Sequence, residues 1–192
     1  MAKMVARISF ESAMSLDRTI RWRALDPEGL EHCRVISSAR DTRIRSTVIT
    51  PDYGLFYRLK LEPSGEIRHA RLERTDGALL ELFSDGAGHW SDDRAEPLPD
   101  LAGCIDIDIS ASPLTNSLPL WRCDWVIDQP QRFTIAWINV DTMSVRRHEQ
   151  IYTRLDDSHF RYQATDGSFE RVIKVDDDGL VLDYPGLFTR VG

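Results

Sequence analysis

Two carboxylates, Asp106 and Asp108, lie two residues apart within residues 103–109, interleaved with Ile105, Ile107 and Ile109. Strand periodicity puts both acids on one face, ~7 Å apart. That spacing suits a two-carboxylate acid/base pair, half of a hard-cation site, or the recognition of polar ligand groups. The structural use is equally concrete: on an inward face buried carboxylates need cations, and Arg122 is the candidate partner. Glu31, His32 and Cys33 put three reactive side chains in a row. Alternation sends Glu31 and Cys33 to one face and His32 to the other. His32 titrates near neutrality, so it can serve as a general base or metal ligand, or as a hydrogen-bonded structural residue. Thr115 and Asn116, between Pro113 and Pro119, combine donors and acceptors suited to sugar hydroxyls. The same groups can cap their own turn.

Five tryptophans (Trp22, Trp90, Trp121, Trp125 and Trp137) offer rings that stack on sugars, line an apolar pocket or fill a core. Trp90 follows a glycine-rich turn at residues 84–89. No helical pattern comes next, so the turn lacks the helix N-terminus of a phosphate cradle. There is no Gly-x-Ser-x-Gly elbow, Walker loop, His-Glu-x-x-His or Cys-x-x-Cys, and no metal or cofactor is expected.

The elements that position these residues read as strands. After a short helix or strand near residues 5–16, Leu55, Tyr57, Leu59 and Leu61 alternate with Phe56, Arg58 and Lys60. Trp121, Cys123, Trp125 and Ile127 alternate with Arg122 and Asp124, and Phe133, Ile135 and Trp137, Phe160 and Tyr162, and Phe169, Ile173 and Val175 continue the pattern. Asp76-Gly77, Asp85-Gly86, Asp166-Gly167, Asp178-Gly179 and Ser64-Gly65 supply hairpin turns. Loops interrupt at residues 92–101 and 110–119, the second directly after the Asp106/Asp108 strand. The expectation is an all-β, single-domain chain over residues 1–192. It is one large, mainly antiparallel curved sheet of about 14–15 strands, roll- or barrel-like, without room for helical crossovers. Such a sheet can enclose a ligand cavity or flatten into a filled, sandwich-like roll.

Composition narrows the partners. The 192 residues carry 31 acidic and 24 basic side chains, a net charge of −7. That argues against a sequence-independent grip on nucleic acid or an anionic membrane, because either needs a clustered basic field. No apolar run reaches the ~18–20 residues of a membrane span. Three cysteines (Cys33, Cys104, Cys123) with no secretion signal before them read as reduced thiols of a cytoplasmic protein. Among the cations 21 are Arg and three are Lys; scattered along strands, they read as partners for the carboxylates.

Four blocks carry a family resemblance: residues 29–33, residues 103–108, residues 113–120 and residues 183–190, the last running Asp-Tyr-Pro-Gly-Leu-Phe-Thr-Arg. In order and extent they resemble the putative glycolipid-binding protein family. The resemblance implies a bacterial protein with a spiral β-roll of about fifteen strands. The functional expectation is a binding protein whose roll holds a glycolipid-like amphiphile. Inward aromatic and aliphatic faces would take the apolar part. Asp106, Asp108, Thr115, Asn116 and Arg122 would meet the polar head, with Glu31, His32, Trp90 and Tyr184 completing the set. The alternative is an enzyme acting on a small carbohydrate- or lipid-like substrate, with Asp106, Asp108 and His32 as acid/base groups. A third is an interaction module with a filled core. An edge strand is free to pair across a two-fold axis into a homo-oligomer.

Overall fold

The computed structural model describes residues 16–192, and the element expected near residues 5–16 lies, Leu16 aside, outside them. Seven strands come first: β1 (Asp17–Leu25), β2 (Glu28–Ser37), β3 (Thr42–Ile49), β4 (Gly54–Leu61), β5 (Ile67–Arg74), β6 (Leu79–Ser84) and β7 (Trp90–Ser91). Seven more follow: β8 (Asp106–Ile109), β9 (Pro130–Asn139), β10 (Ser144–Arg154), β11 (His159–Ala164), β12 (Glu170–Val175), β13 (Val181–Tyr184) and β14 (Phe188–Arg190). All fourteen belong to one sheet, ordered β7-β6-β5-β4-β3-β2-β1-β14-β13-β12-β11-β10-β9-β8. The chain starts mid-sheet, meanders to the β7 edge, crosses to the opposite edge at β8 and returns until β14 pairs with β1.

Local chemistry explains the meander. The glycines of all five expected turns have φ between +72° and +103°, a region open to glycine and costly for residues with a Cβ. In β4, Leu55, Tyr57, Leu59 and Leu61 are buried while Phe56, Arg58 and Lys60 face solvent. Ile44, Leu59, Leu72, Ile107, Ile109 and Ile138 share one core cluster, so β3–β5 pack against β8 and β9. A second cluster, centred on Trp125, Phe133, Tyr152, Phe160 and Tyr184, lines β9–β13. Strand β8 is covered on both sides, with Asp106, Ile107 and Ile109 all buried. The sheet therefore rolls up with its β8 edge inside.

Three expectations need correction. The sheet does not close into a barrel, because β7 and β8 remain its two ends. β7 has only two residues, and the chain bridges the gap through single bonds: the Gly103 amide to the Gly88 carbonyl at 2.9 Å and Trp90 Nε1 to the Cys104 carbonyl at 2.8 Å. A crossover does exist. β8 and β9 run parallel and are joined through a 3₁₀ turn, Pro113–Asn116, and a six-residue helix α1, Ser117–Arg122. Parallel neighbours cannot be joined by a hairpin, which is why residues 110–129 are spent here. Trp121 and Arg122 accordingly lie on α1, not on a strand. Spacing of two also satisfies the helical i, i+4 relation, so a short apolar run is ambiguous. Ser112 Oγ accepts the Leu114 amide to start this segment, and Pro119 sits in the first turn, where no amide hydrogen is needed.

Among the described residues no helix is long and apolar enough to cross a membrane.

Candidate functional site

The crossover carries the 3₁₀ turn back over the inner face of β8–β10, and a polar relay forms where they meet. Thr115 Oγ1 donates to Asp108 Oδ1 at 3.0 Å, and Gln150 Nε2 donates to Oδ2 at 2.7 Å. Asn116 Nδ2 donates to the Tyr152 hydroxyl at 2.8 Å, which donates in turn to Gln150 Oε1 at 3.3 Å. Burial raises the Asp108 pKa, opposed by the bonds from Gln150 and Thr115 and by the nearby charge of His148. With one donor to each oxygen among the described residues, Asp108 has capacity for further hydrogen bonds.

Around this relay runs a chain of aromatic rings. Trp125 and Phe133 have centroids 5.9 Å apart, Phe133 and Tyr152 5.8 Å, and Tyr152 and Tyr162 5.2 Å. Tyr162 contacts Phe169 at 5.7 Å and Tyr184 at 6.3 Å, and Tyr184 contacts Phe188 at 6.3 Å. Edge-on and tilted pairs dominate, as ring quadrupoles favour. The inner rings are buried, whereas Phe169, Leu187 and Phe188 are half-buried. Burial, then the Asp108 charge, pushes the Tyr184 hydroxyl pKa upward, so it stays a neutral donor.

The two aspartates do not act as a pair. Asp106 is buried and engaged by Arg122, whose Nη2 lies 2.7 Å from Oδ2 and whose Nε lies 3.3 Å from Oδ1. Burial raises the Asp106 pKa even with Arg122 beside it. Arg122 also stacks over Phe133, 5.8 Å from its centroid. This is the inward-facing case in which a carboxylate needs a cation.

The remaining candidates are dispersed. Glu31 and Cys33 share the buried face of β2, as alternation required, but His32 stands exposed on the other face. An acid/base trio of His32 with Asp106 and Asp108 is therefore not assembled. Glu31 is buried among Ser46, Tyr57 and Ser112 hydroxyls, and burial carries its pKa up to about 7. Trp90 is buried and bonded to the Cys104 carbonyl, which holds the link between the sheet ends. All three cysteines are unpaired. No cluster of three or more His, Cys, Asp or Glu among the described residues could hold a metal ion.

Gln150, Tyr152 and His148 were not anticipated. Their signal is the alternation along β10, which passes from exposed Arg146 and half-buried His148 to buried Gln150 and Tyr152.

Residues 19–190 match the model of a family described as putative glycolipid-binding. The fold is similar to the crystal structure of a DUF1089 family protein from Pseudomonas aeruginosa. The TM-score is 0.76 and the identity 37%, covering 84% of this chain and 92% of that one. No curated protein matches the chain.

Proposed function

From the premise that this chain belongs to the putative glycolipid-binding family, we propose that the inner face of β9–β13 binds a sugar-bearing amphiphile. The observation that carries this reading is the Asp108 relay set beside a graded run of rings. Sugar rings stack their apolar C–H faces on aromatic side chains, while their hydroxyls need both donors and acceptors. Asp108 and Gln150 supply acceptors, and Asn116 and Tyr184 supply donors. Phe169, Leu187 and Phe188, half-buried and packed against the run, would meet the apolar portion. Asp106 and Arg122 hold α1 against β8 and contribute by keeping that wall in place. Three unpaired thiols fit a reducing cytoplasmic setting.

Native mass spectrometry and lipid extraction of gently purified protein are expected to yield a retained amphiphile. Asp108→Asn keeps the shape but removes the charge, and is expected to weaken glycolipid binding about tenfold. Repeated recovery of clean protein that binds nothing in a broad glycolipid and lipid panel would overturn the reading.

A further inference from the structure

The outer face of the first half-sheet carries a feature that the inner-face site does not use. Arg34 stands directly opposite Arg45, Arg45 opposite Arg58, and Arg58 opposite Arg71, across β2, β3, β4 and β5. At the usual strand spacing this ladder spans ~14 Å. Arg34 is paired with Asp17, and Arg71 with Glu81. Arg45 and Arg58, in the middle, have no ion pair or side-chain hydrogen bond among the described residues. Like charges directly opposite one another destabilise a sheet, so fold stability does not account for the two central arginines. The next row adds Arg43 opposite Lys60. Arg34, Arg40, Arg43 and Arg45 surround a depression of about 380 Å³, with Asp41 among them paired to Arg43 at 3.0 Å. A chain of net charge −7 thus concentrates cations on one face, which an average over the sequence conceals.

The ladder is interleaved with apolar side chains. Leu30, Ile36, Ile49, Phe56 and Phe83 are all exposed on the same face. A polyanion in water satisfies the arginines and leaves these residues unburied. A bilayer surface satisfies both, with phosphates for the guanidiniums and the headgroup–acyl boundary for the aliphatic and aromatic groups.

We propose that the outer face of β2–β5, centred on the Arg34–Arg45–Arg58–Arg71 ladder, docks on anionic lipid membranes. It lies on the side of the sheet away from the inner-face relay, so docking and ligand binding are separable properties.

The test is co-sedimentation of the full chain with vesicles. In about 0.1 M salt the protein is expected to pellet with phosphatidylcholine vesicles containing phosphatidylglycerol, but not with pure phosphatidylcholine. Binding should disappear in about 0.5 M salt as the charges are screened. Arg45→Gln with Arg58→Gln is expected to lower partitioning about 25-fold, roughly fivefold per arginine. Its thermal midpoint should be unchanged or raised, because like charges are relieved. Phe56→Ser should weaken binding as well, and Arg132→Gln, which removes an exposed cation from β9, should not. Three results would overturn the proposal: no vesicle binding, equal binding by wild type and the double variant, or binding to duplex DNA at the same salt without binding to vesicles. Loss of glycolipid binding with vesicle docking intact would instead count against the inner-face reading alone.

Discussion

Glu31 Oε1 accepts from Ser46 at 2.6 Å, Tyr57 at 2.6 Å and Ser112 at 2.9 Å, while Oε2 has no hydrogen-bond partner among the described residues. Three donors on one oxygen lower its pKa, but burial outweighs them and lifts it from 4.5 to about 7. The sign of the linkage follows. Below about pH 4.5 the acid is protonated in both folded and unfolded chains and adds no pH dependence. Between about 4.5 and 7 the unfolded chain gives up its proton first, so stability falls by about 3 kcal/mol and then levels off. Glu31→Gln keeps the acceptor for all three hydroxyls and removes the ionisation. Urea denaturation of wild type and variant should therefore diverge over that pH range, the wild type losing about 3 kcal/mol relative to the variant; parallel curves would reject the assignment. Glu31 was readable as inward from alternation alone. Its environment was not, since Tyr57 and Ser112 reach it from β4 and from the segment after β8. Asp108, Thr115 and Asn116 were legible together because they fall within nine residues of one another. Gln150 and Tyr152 arrive from across the sheet, and the alternation along β10 does not say which residues they meet.

Strand β8 shows how one element can decide a site. As an inner edge covered on both faces, it turns Ile107 and Ile109 to one core and Asp106 and Asp108 to the other side. The 3₁₀ turn and α1 exist because its neighbour β9 is parallel. Period-2 reading could not distinguish α1 from a strand over so few residues, although the prolines at 113 and 119 did mark the interruption. The strand is delivered to that edge through the contact of Gly88 with Gly103. A Cβ on Gly88 would come within 2.8 Å of Gly103 Cα, at a φ of +95°. Gly88→Ala is expected to cost about 2 kcal/mol or more from strain and displaced backbone. Chemical denaturation would measure it, and a loss under about 0.5 kcal/mol, the range of an ordinary surface substitution, would mean that the sheet ends are not held together there.

Across the whole molecule, β1 joins the two halves by pairing with β2 on one side and β14 on the other, with Trp22 opposite Arg190. Trp22 Nε1 also donates to the Val181 carbonyl at 2.8 Å. A continuous sheet with shared cores should unfold as one unit. Far-ultraviolet circular dichroism and tryptophan fluorescence are expected to give coincident denaturation curves; two separated transitions would show that the halves fold independently. Pairing residues so far apart in sequence also predicts slow folding. By itself the sequence determined the strand class, the large mainly antiparallel sheet, the five glycine turns and which side chains share a face. Those features follow from steric preferences and a two-residue period that act over a few neighbours. Only the tertiary structure decided that the sheet stays open, that β8 lies inside the roll, and which faces meet. It alone brought Gln150 to Asp108, Arg122 to Asp106 and four arginines into one row, because register and rolling are set by packing between distant segments.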